Sequence, residues 1–436
     1  MFSAIARVFK TADLRRKLLF TLGIIVIYRI GVYIPAPGVD YTAVRQCLAM
    51  NNTNGGLYDF VNMFSGGALL QVSVLAMGIM PYITASIIIQ LLRVVVPHFE
   101  ELHKEGQAGQ AKMTQYTRYL TIALGLLQAT TLVTMARSGA LFSGCEHAII
   151  PDEGLWPIIL VIMVLTAGTM LIMWLGELVT ERGVGNGMSL LIFVSIAAGF
   201  PGSMGAILQS KGWFTFILVI IVGLIVLGLV VFVEQSQRRV PVQYAKRMIG
   251  RRTVGGTSTY IPIKVNMAGV IPVIFASSLL ALPMMIVQFN TPAAGQVPAP
   301  WVQWIQSNLV DPSAPLHVLL YVALVFGFTY FYVSITFNPT EVADDMKKYG
   351  GFVPGIRAGE PTAKYLGYVS SRITFAGAIY LALVAIIPLV ALALLGANQN
   401  FPFGGTSLLI MVGVGLETVK QINAQMQQRN YEGLLR

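Results

Sequence analysis

The sequence predicts an all-α integral membrane protein of ten transmembrane helices, five in each half of the chain, a division that permits two inverted halves. Three observations predict it. Of the 436 residues, 55% are hydrophobic and only 11% charged, a balance that suits a lipid-facing surface and no ordinary soluble one. Stretches 60–92, 119–136, 154–176, 183–210, 212–233, 265–310, 312–340 and 373–416 contain no Asp, Glu, Lys or Arg, and several exceed the ~20 residues a helix needs to cross a bilayer. The third observation is how the 29 Lys and Arg residues are distributed between alternate loops.

Dividing the longest stretches at Gly, Pro and Asn clusters places spans at 18–35, 71–93, 117–136, 155–176, 184–201, 214–234, 265–287, 315–337, 373–396 and 404–420. The first follows Arg15, Arg16 and Lys17 and lacks a small-residue cleavage site, so it reads as a retained span and not a removable signal. With a cytoplasmic N-terminus, every Lys and Arg falls inside except Arg29 within the first span and Arg45, Arg137 and Lys211 outside. That is the positive-inside pattern, and it puts both termini in the cytoplasm. The net charge of +10 therefore reports topology before it reports any partner. Five spans fall in 1–201 and five in 202–436. An odd number per half reverses the orientation of the second half and permits an inverted repeat.

Before the second span, Gly56 to Leu70 reads GLYDFVNMFSGGALL, apolar yet too short to cross and broken by Gly66 and Gly67. It is either an amphipathic helix on the outer leaflet or a re-entrant piece that stops a cavity, since non-helical backbone at membrane depth survives only against protein or a water-filled cavity. Residues 234–264 form a long inner loop with the basic residues Arg238, Arg239, Lys246, Arg247, Arg251 and Arg252. Val, Tyr and Thr around Gly255 and Gly256 predict a hairpin there. A second loop, 338–372, carries Lys347, Lys348, Arg357 and Lys364 around GGFVPGIRAGEP. Together they make a basic cytoplasmic protrusion. Its charge suits either orientation with anionic-lipid contact or docking on acidic partners, RNA phosphates included.

Several chemistries are excluded. The chain has no Gly-Lys dipeptide, hence no phosphate-binding loop of the Walker type. His98, His103, His147 and His317 are scattered and no His-Glu-x-x-His occurs, so no metal site and no cofactor are expected. Ion-coupled solute transporters place ionisable groups near the midplane, but here Glu177, Glu181 and Glu417 sit at inner span ends. Arg29, near the outer end of span one, reads as snorkelling or pairing structurally. An intramembrane protease would have only His317 near a span for its catalytic pair. Cys47 and Cys145 both fall outside, where a disulfide is chemically possible; the reading adopted is two incidental free thiols. Gln90, Asn186 and Asn266 at inner span ends suit hydrogen bonds between helices, either as permanent glue or as a breakable contact between the halves.

Six segments, NMFSGGAL (62–69), MPYITASIIIQLL (80–92), TERGVGNGMSLLIF (180–193), KVNMAGVIPVIFASS (264–278), GGFVPGIRAGEPTAKY (350–365) and FGGTSLLI (403–410), occur in an order that resembles the SecY family of bacterial protein-conducting channels over nearly the whole chain. The resemblance implies a clamshell of two halves around an hourglass pore that opens sideways to lipid. A plug helix at Asn62, Met63, Phe64, Ser65, Gly66 and Gly67 would close it from outside. It places an apolar constriction at Ile79, Ile83, Met188, Ile192, Ile274 and Ile410. Met188 keeps that ring apolar but brings an unbranched, flexible side chain. Gln90, Asn186 and Asn266 fall on the family's polar cluster at the lateral gate. Arg357 and the Arg251/Arg252 pair fall on loops that engage a motor ATPase and the ribosome. The implied function is a passive, gated conduit for unfolded polypeptides and not an enzyme. It would reside in the bacterial cytoplasmic membrane with SecE-like and SecG-like subunits, the SecA motor, ribosomes and signal sequences as partners.

Overall fold

The computed structural model describes residues 12–50, 65–69, 71–137, 149–151, 154–244, 247–249, 252–254, 258–289, 299–311, 314–395 and 405–432. Asn62, Met63, Phe64, Lys246, Arg251, Gly255 and Gly256 lie outside these residues, as does Cys145. The helices in chain order are α1 Ala12–Val32, α2 Tyr41–Met50, α3 Met80–Val95, α4 Pro97–Lys104, α5 Gln107–Arg137 and α6 Leu155–Arg182. They continue with α7 Gly187–Gln209 and α8 Gly212–Gln235, separated by a kink where Gly212 takes φ of 78°. Then come α9 Ile271–Phe289, α10 Pro300–Ile305, α11 Pro315–Thr336, α12 Pro339–Lys348, α13 Glu360–Leu395 and α14 Gly405–Glu432. Six helical stretches among the described residues are long and apolar enough to cross a membrane, namely α5, α6, α7, α8, α11 and α13, with α3 and α9 as shorter apolar helices. This is a multi-pass membrane architecture.

The chain forms two compact units. One comprises residues 1–217, 396–402 and 410–436; the other comprises 218–395 and 403–409.

In the first unit α6 is the organiser. It packs against α1, α3 and α5, and its glycines set how closely the neighbours approach. A Cβ on Gly168 would overlap the Val74 carbonyl, and one on Gly176 would strike the Met188 sulfur. Small residues that admit backbone to backbone are the usual device of helix packing where lipid offers no hydrophobic gain. Arg118 of α5 clasps Glu177 of α6 with Nε and Nη2 at 3.0 and 2.7 Å, tying the two helices together. The predicted span 71–93 is helical only from Met80, because Gly78 takes a positive φ of 56° and Pro81 sits at the helix start. Residues 71–79 are turns whose Val72, Ser73, Leu75 and Ala76 are buried. They pair with the segment that follows α1, Ala36 N–H donating to Val72 O at 3.1 Å and Val74 N–H to Ile34 O at 2.9 Å. Around them lies an apolar cluster that includes Val44, Cys47, Leu69, Leu132, Val161 and Leu165. Cys47 is disulfide-bonded, which corrects the free-thiol reading; the other cysteine of the sequence is Cys145.

In the second unit α11 packs against α9 and α13, and α12 against α13. The predicted hairpin is present as β1 Gln237–Tyr244 antiparallel to β4 Ser258–Lys264, with Val240 opposite Ile261. An inner pair, β2 Arg247–Ile249 and β3 Arg252–Val254, lies between them in sequence. The second loop adds β5 Gly351–Phe352 to the free edge of β1, giving the order β4-β1-β5. Val240, Val242 and Ile263 bury one face of the sheet against Met346, Val353 and Leu366. The two long loops are therefore a single folded body.

A Gly168→Ala change is expected to lower stability by about 1–3 kcal/mol through overpacking, read as a lower thermal unfolding midpoint in detergent. Gly23→Ala in α1, with nothing within 4 Å of its Cβ, serves as the control. Equal midpoints for the two variants would show that close approach to α6 does not set the packing.

Candidate functional site

The candidate constriction residues are drawn from both units. Ile79 is the N-cap of α3 and 2% exposed, with Ile83 one turn on, its N–H donating to Ile79 O at 3.1 Å, so the two side chains share a face. Met188 and Ile192 stand at i and i+4 on α7 and likewise share a face. Met188 lies over Gly176 of α6, so its flexible end is packed against a bare helix surface. Ile410 is buried on α14. Ile274 is half-buried on α9 in the second unit.

The polar candidates behave differently from one another. Gln90 donates from Nε2 to Ser86 Oγ at 3.3 Å within α3. Asn186 is a helix cap, its Oδ1 accepting from Met188 N–H at 3.1 Å and Ser189 N–H at 3.4 Å. Asn266, 4% exposed, donates from Nδ2 to Glu234 Oε1 at 2.6 Å and to Gly269 O at 3.1 Å. Its own Oδ1 is buried with no partner among the described residues. A buried acceptor without a donor costs ~1–3 kcal/mol, so Asn266 offers one strong unmet site. Glu234 was not singled out from the sequence. Its signal was present, for it is the first charge after the uncharged run 212–233. Helix α13 crosses close by, since a Cβ on Gly377 would press on the Val265 carbonyl.

Arg238 and Arg239 of β1 and Arg357 of the loop after β5 are exposed. Arg239 stacks on Tyr260 at 4.9 Å. Lys348 is paired with Asp345 at 3.1 Å and Lys364 with Glu360 at 2.9 Å; the bond to Asp345 pushes the Lys348 ammonium above its ordinary pKa. Among the described residues no carboxylate pairs with Arg238 or Arg357. The Arg357 backbone is fixed all the same, its carbonyl accepting from buried Thr362 Oγ1 at 2.9 Å. Lys347 is likewise exposed on α12, whereas Arg247 and Arg252 are placed only as members of strands β2 and β3.

The plug candidates fall partly within the described residues. Ser65 begins a short turn that includes Gly66 and Gly67, with φ of 67° and 96°. Ser65 and Gly66 are buried and Gly67 half-buried. No group of three or more His, Cys, Asp or Glu able to hold a metal occurs among the described residues. His317 is turned to the chain itself, its Nδ1 bonded to Leu309 O at 2.6 Å.

Comparison with known proteins agrees with this architecture. The SecY family model matches residues 73–419. The chain is 64% identical over 442 residues to protein translocase subunit SecY of Streptomyces scabiei, covering 100% of both chains. It is 57% identical over 441 residues to the subunit of that name from Mycobacterium bovis, again over 100% of both. Among solved structures, a protein-conducting channel superposes with a TM-score of 0.65 at 20% identity, over 94% of this chain and 92% of the other. Sec61 in the canine ribosome-channel complex superposes at 0.61 and 19% identity, with the same coverage of both chains. Those two likenesses establish the fold alone. The family match and the full-length relatives go further: this chain belongs to the SecY family.

Proposed function

We propose that this protein is the central channel subunit of a Sec translocon, conducting unfolded secretory polypeptides across the bacterial cytoplasmic membrane and releasing transmembrane segments sideways into lipid. Full-length identity to translocase subunits carries this reading. Ten spans with both termini in the cytoplasm, in halves 1–201 and 202–436, form the conduit. A constriction of Ile79, Ile83, Met188, Ile192, Ile274 and Ile410 resists hydration and ions, while the side chains retract around a passing chain. The segment 56–70 closes the outer mouth. The chain is not an enzyme. ATP energy comes from a SecA-like motor, and SecE-like and SecG-like subunits complete the membrane complex.

The motor and the ribosome dock on the basic cytoplasmic body. The observation favouring docking over orientation alone is that Arg238 of β1 and Arg357 of the loop after β5 are exposed with no carboxylate paired to them among the described residues, whereas Lys348 and Lys364 are already paired. A preorganised, unpaired cation is what an acidic partner recognises. Arg239, Lys246, Arg247, Arg251 and Arg252 extend the same charge, and anionic lipid headgroups compete for it.

Gating is assigned to the polar cluster. The side-chain nitrogen of Asn266 is committed to Glu234 and Gly269, so its carbonyl oxygen is what remains to join Gln90 and Asn186 across the closed gate. A hydrophobic signal segment that intercalates between the halves replaces those contacts and shifts the equilibrium to open.

Reconstitution of the complex with the motor tests the function. Protease-protected precursor should accumulate only with ATP, and none with any motor would reject the conduit. Arg357→Glu should cut ATP-driven import into vesicles by about tenfold or more while the unfolding midpoint stays unchanged; normal import would remove Arg357 from docking. Asn266→Leu and Glu234→Leu should each raise export of a precursor with a defective signal by about tenfold, and Glu234→Gln, which keeps an acceptor, much less. Unaltered stringency in the leucine variants would confine both residues to structure.

A further inference from the structure

Helix α1 buries a stripe of side chains, Leu14, Thr21, Ile24, Tyr28 and Val32. Two of these, Thr21 and Tyr28, carry hydroxyls and lie two turns apart on one face. Each bonds to the stretch 184–195, which carries Met188 and Ile192. Thr21, 6% exposed, donates from Oγ1 to Lys17 O at 2.9 Å, which uses its proton and leaves its lone pairs. The N–H of Val184 donates to that oxygen at 3.2 Å. Val184 is buried in the turn between α6 and α7, so its N–H is shut off from water. Gly183 admits the approach, for a Cβ there would overlap Thr21 Oγ1.

Tyr28 repeats the arrangement further along. Its Oη and Ser195 Oγ are 2.6 Å apart, each residue 1% exposed. Ser195 Oγ donates to Leu191 O at 2.9 Å; with that proton used, the Tyr28 hydroxyl donates to Ser195. The reverse order, Ser195 to Tyr28 to Ser65 O, ends on a 3.4 Å contact, and the two side chains stay joined in either. Ser195 stands at i+3 from Ile192 and i+7 from Met188, so the bond falls on the face that carries both. Between the two bonds Ile24 clusters with Leu175 and Val179 of α6, and Leu190 of α7 packs against that cluster. Apolar contact is non-directional and resists sliding or turning weakly, whereas a directional bond at each end resists both.

We infer that α1 sets the register of the constriction: Thr21 and Tyr28 are positioning residues that hold α7 at both ends of the Met188–Ile192 face, and the tightness of the seal around a passing chain depends on them. The inference rests on the conduit reading given above. Thr21→Val keeps the shape of the side chain but strands the buried N–H of Val184. Tyr28→Phe or Ser195→Ala removes the second bond. Loss of either bond should raise the population with α7 out of register by about tenfold.

The test uses the full translocon with its motor, reconstituted in planar bilayers with a secretory precursor stalled in mid-transit. A chain then occupies the path, and ion leak past it reads the constriction. Thr21→Val should raise that leak about tenfold, and Thr21→Ser, which keeps the oxygen, should restore the wild-type level. Tyr28→Phe and Ser195→Ala should each raise the leak by a similar factor. Their double variant should equal the single ones, because one bond cannot be lost twice. Ser195→Ala also separates this role from the Tyr28 contact with Ser65 O, which it leaves in place. If Tyr28→Phe fails to assemble, the Thr21 variants carry the test. A folded Thr21→Val or Ser195→Ala with a lowered unfolding midpoint but a wild-type leak would overturn the inference and leave the hydroxyls as helix packing alone. An equal rise in Thr21→Ser would overturn it too. Failure of the conduit reading shows separately: precursor stalled in an otherwise unaltered Ile192→Cys complex that never crosslinks to that cysteine would remove the constriction, and this inference with it.

Discussion

Every backbone N–H and C=O that lies at membrane depth must find a partner inside the protein, because lipid supplies none. Helices meet this demand by themselves. The stretch from Ser65 to Ile79 does not, and much of the first unit is organised around meeting it. The segment after α1 offers Ile34 O and Ala36 N–H to Val74 and Val72. Ser65 Oγ accepts from Leu69 N–H at 3.1 Å, and Arg29 donates to Gly66 O. Gly168 of α6 is bare so that the Val74 backbone can lie against it. A non-helical segment so supported can be held in place and still be detachable, which a spanning helix cannot.

The second unit answers the same demand in water. Two loops that punctuate the spans would be loose singly, but β1 pairs with β4 and β5 so that both become one sheet with its own apolar core. The cost of ordering long loops is offset by burying Val240, Val242, Ile263 and Leu366. The result is a rigid presentation of Arg238 and Arg357, whose backbones are fixed while their side chains remain exposed.

Much of this was legible in the sequence. Uncharged runs are a direct imprint of lipid, and six described helices are long and apolar enough to cross a membrane; Val, Tyr and Thr around Gly255 and Gly256 announced the hairpin. The outer half of the second span was misread because hydropathy reports burial and not helicity; residues 71–79 are as apolar as a helix and yet turn, and only Gly78 and Pro81 hinted at it. Glu234 escaped attention because an inner-end carboxylate looks like any other, and its meaning comes from the 2.6 Å bond to Asn266. The Tyr28–Ser195 pair joins residues 167 positions apart, and no local pattern encodes such a contact. Cys47 was read as a free thiol because a lone pair of cysteines carries no spacing signature.

The central proposal is that a polypeptide passes the side chains of Ile83, Ile192 and Ile274. The most direct measurement places single photoreactive or thiol-directed crosslinkers at Ile83, Ile192 or Ile274, with lipid-facing Leu224 and Leu319 as controls and a chain without added cysteine as background, and stalls a secretory precursor in mid-transit. Crosslinks from all three constriction sites and from neither control are the predicted result. Silence at the three sites while stalled precursor is demonstrably engaged would contradict it, and would place the path of the polypeptide elsewhere.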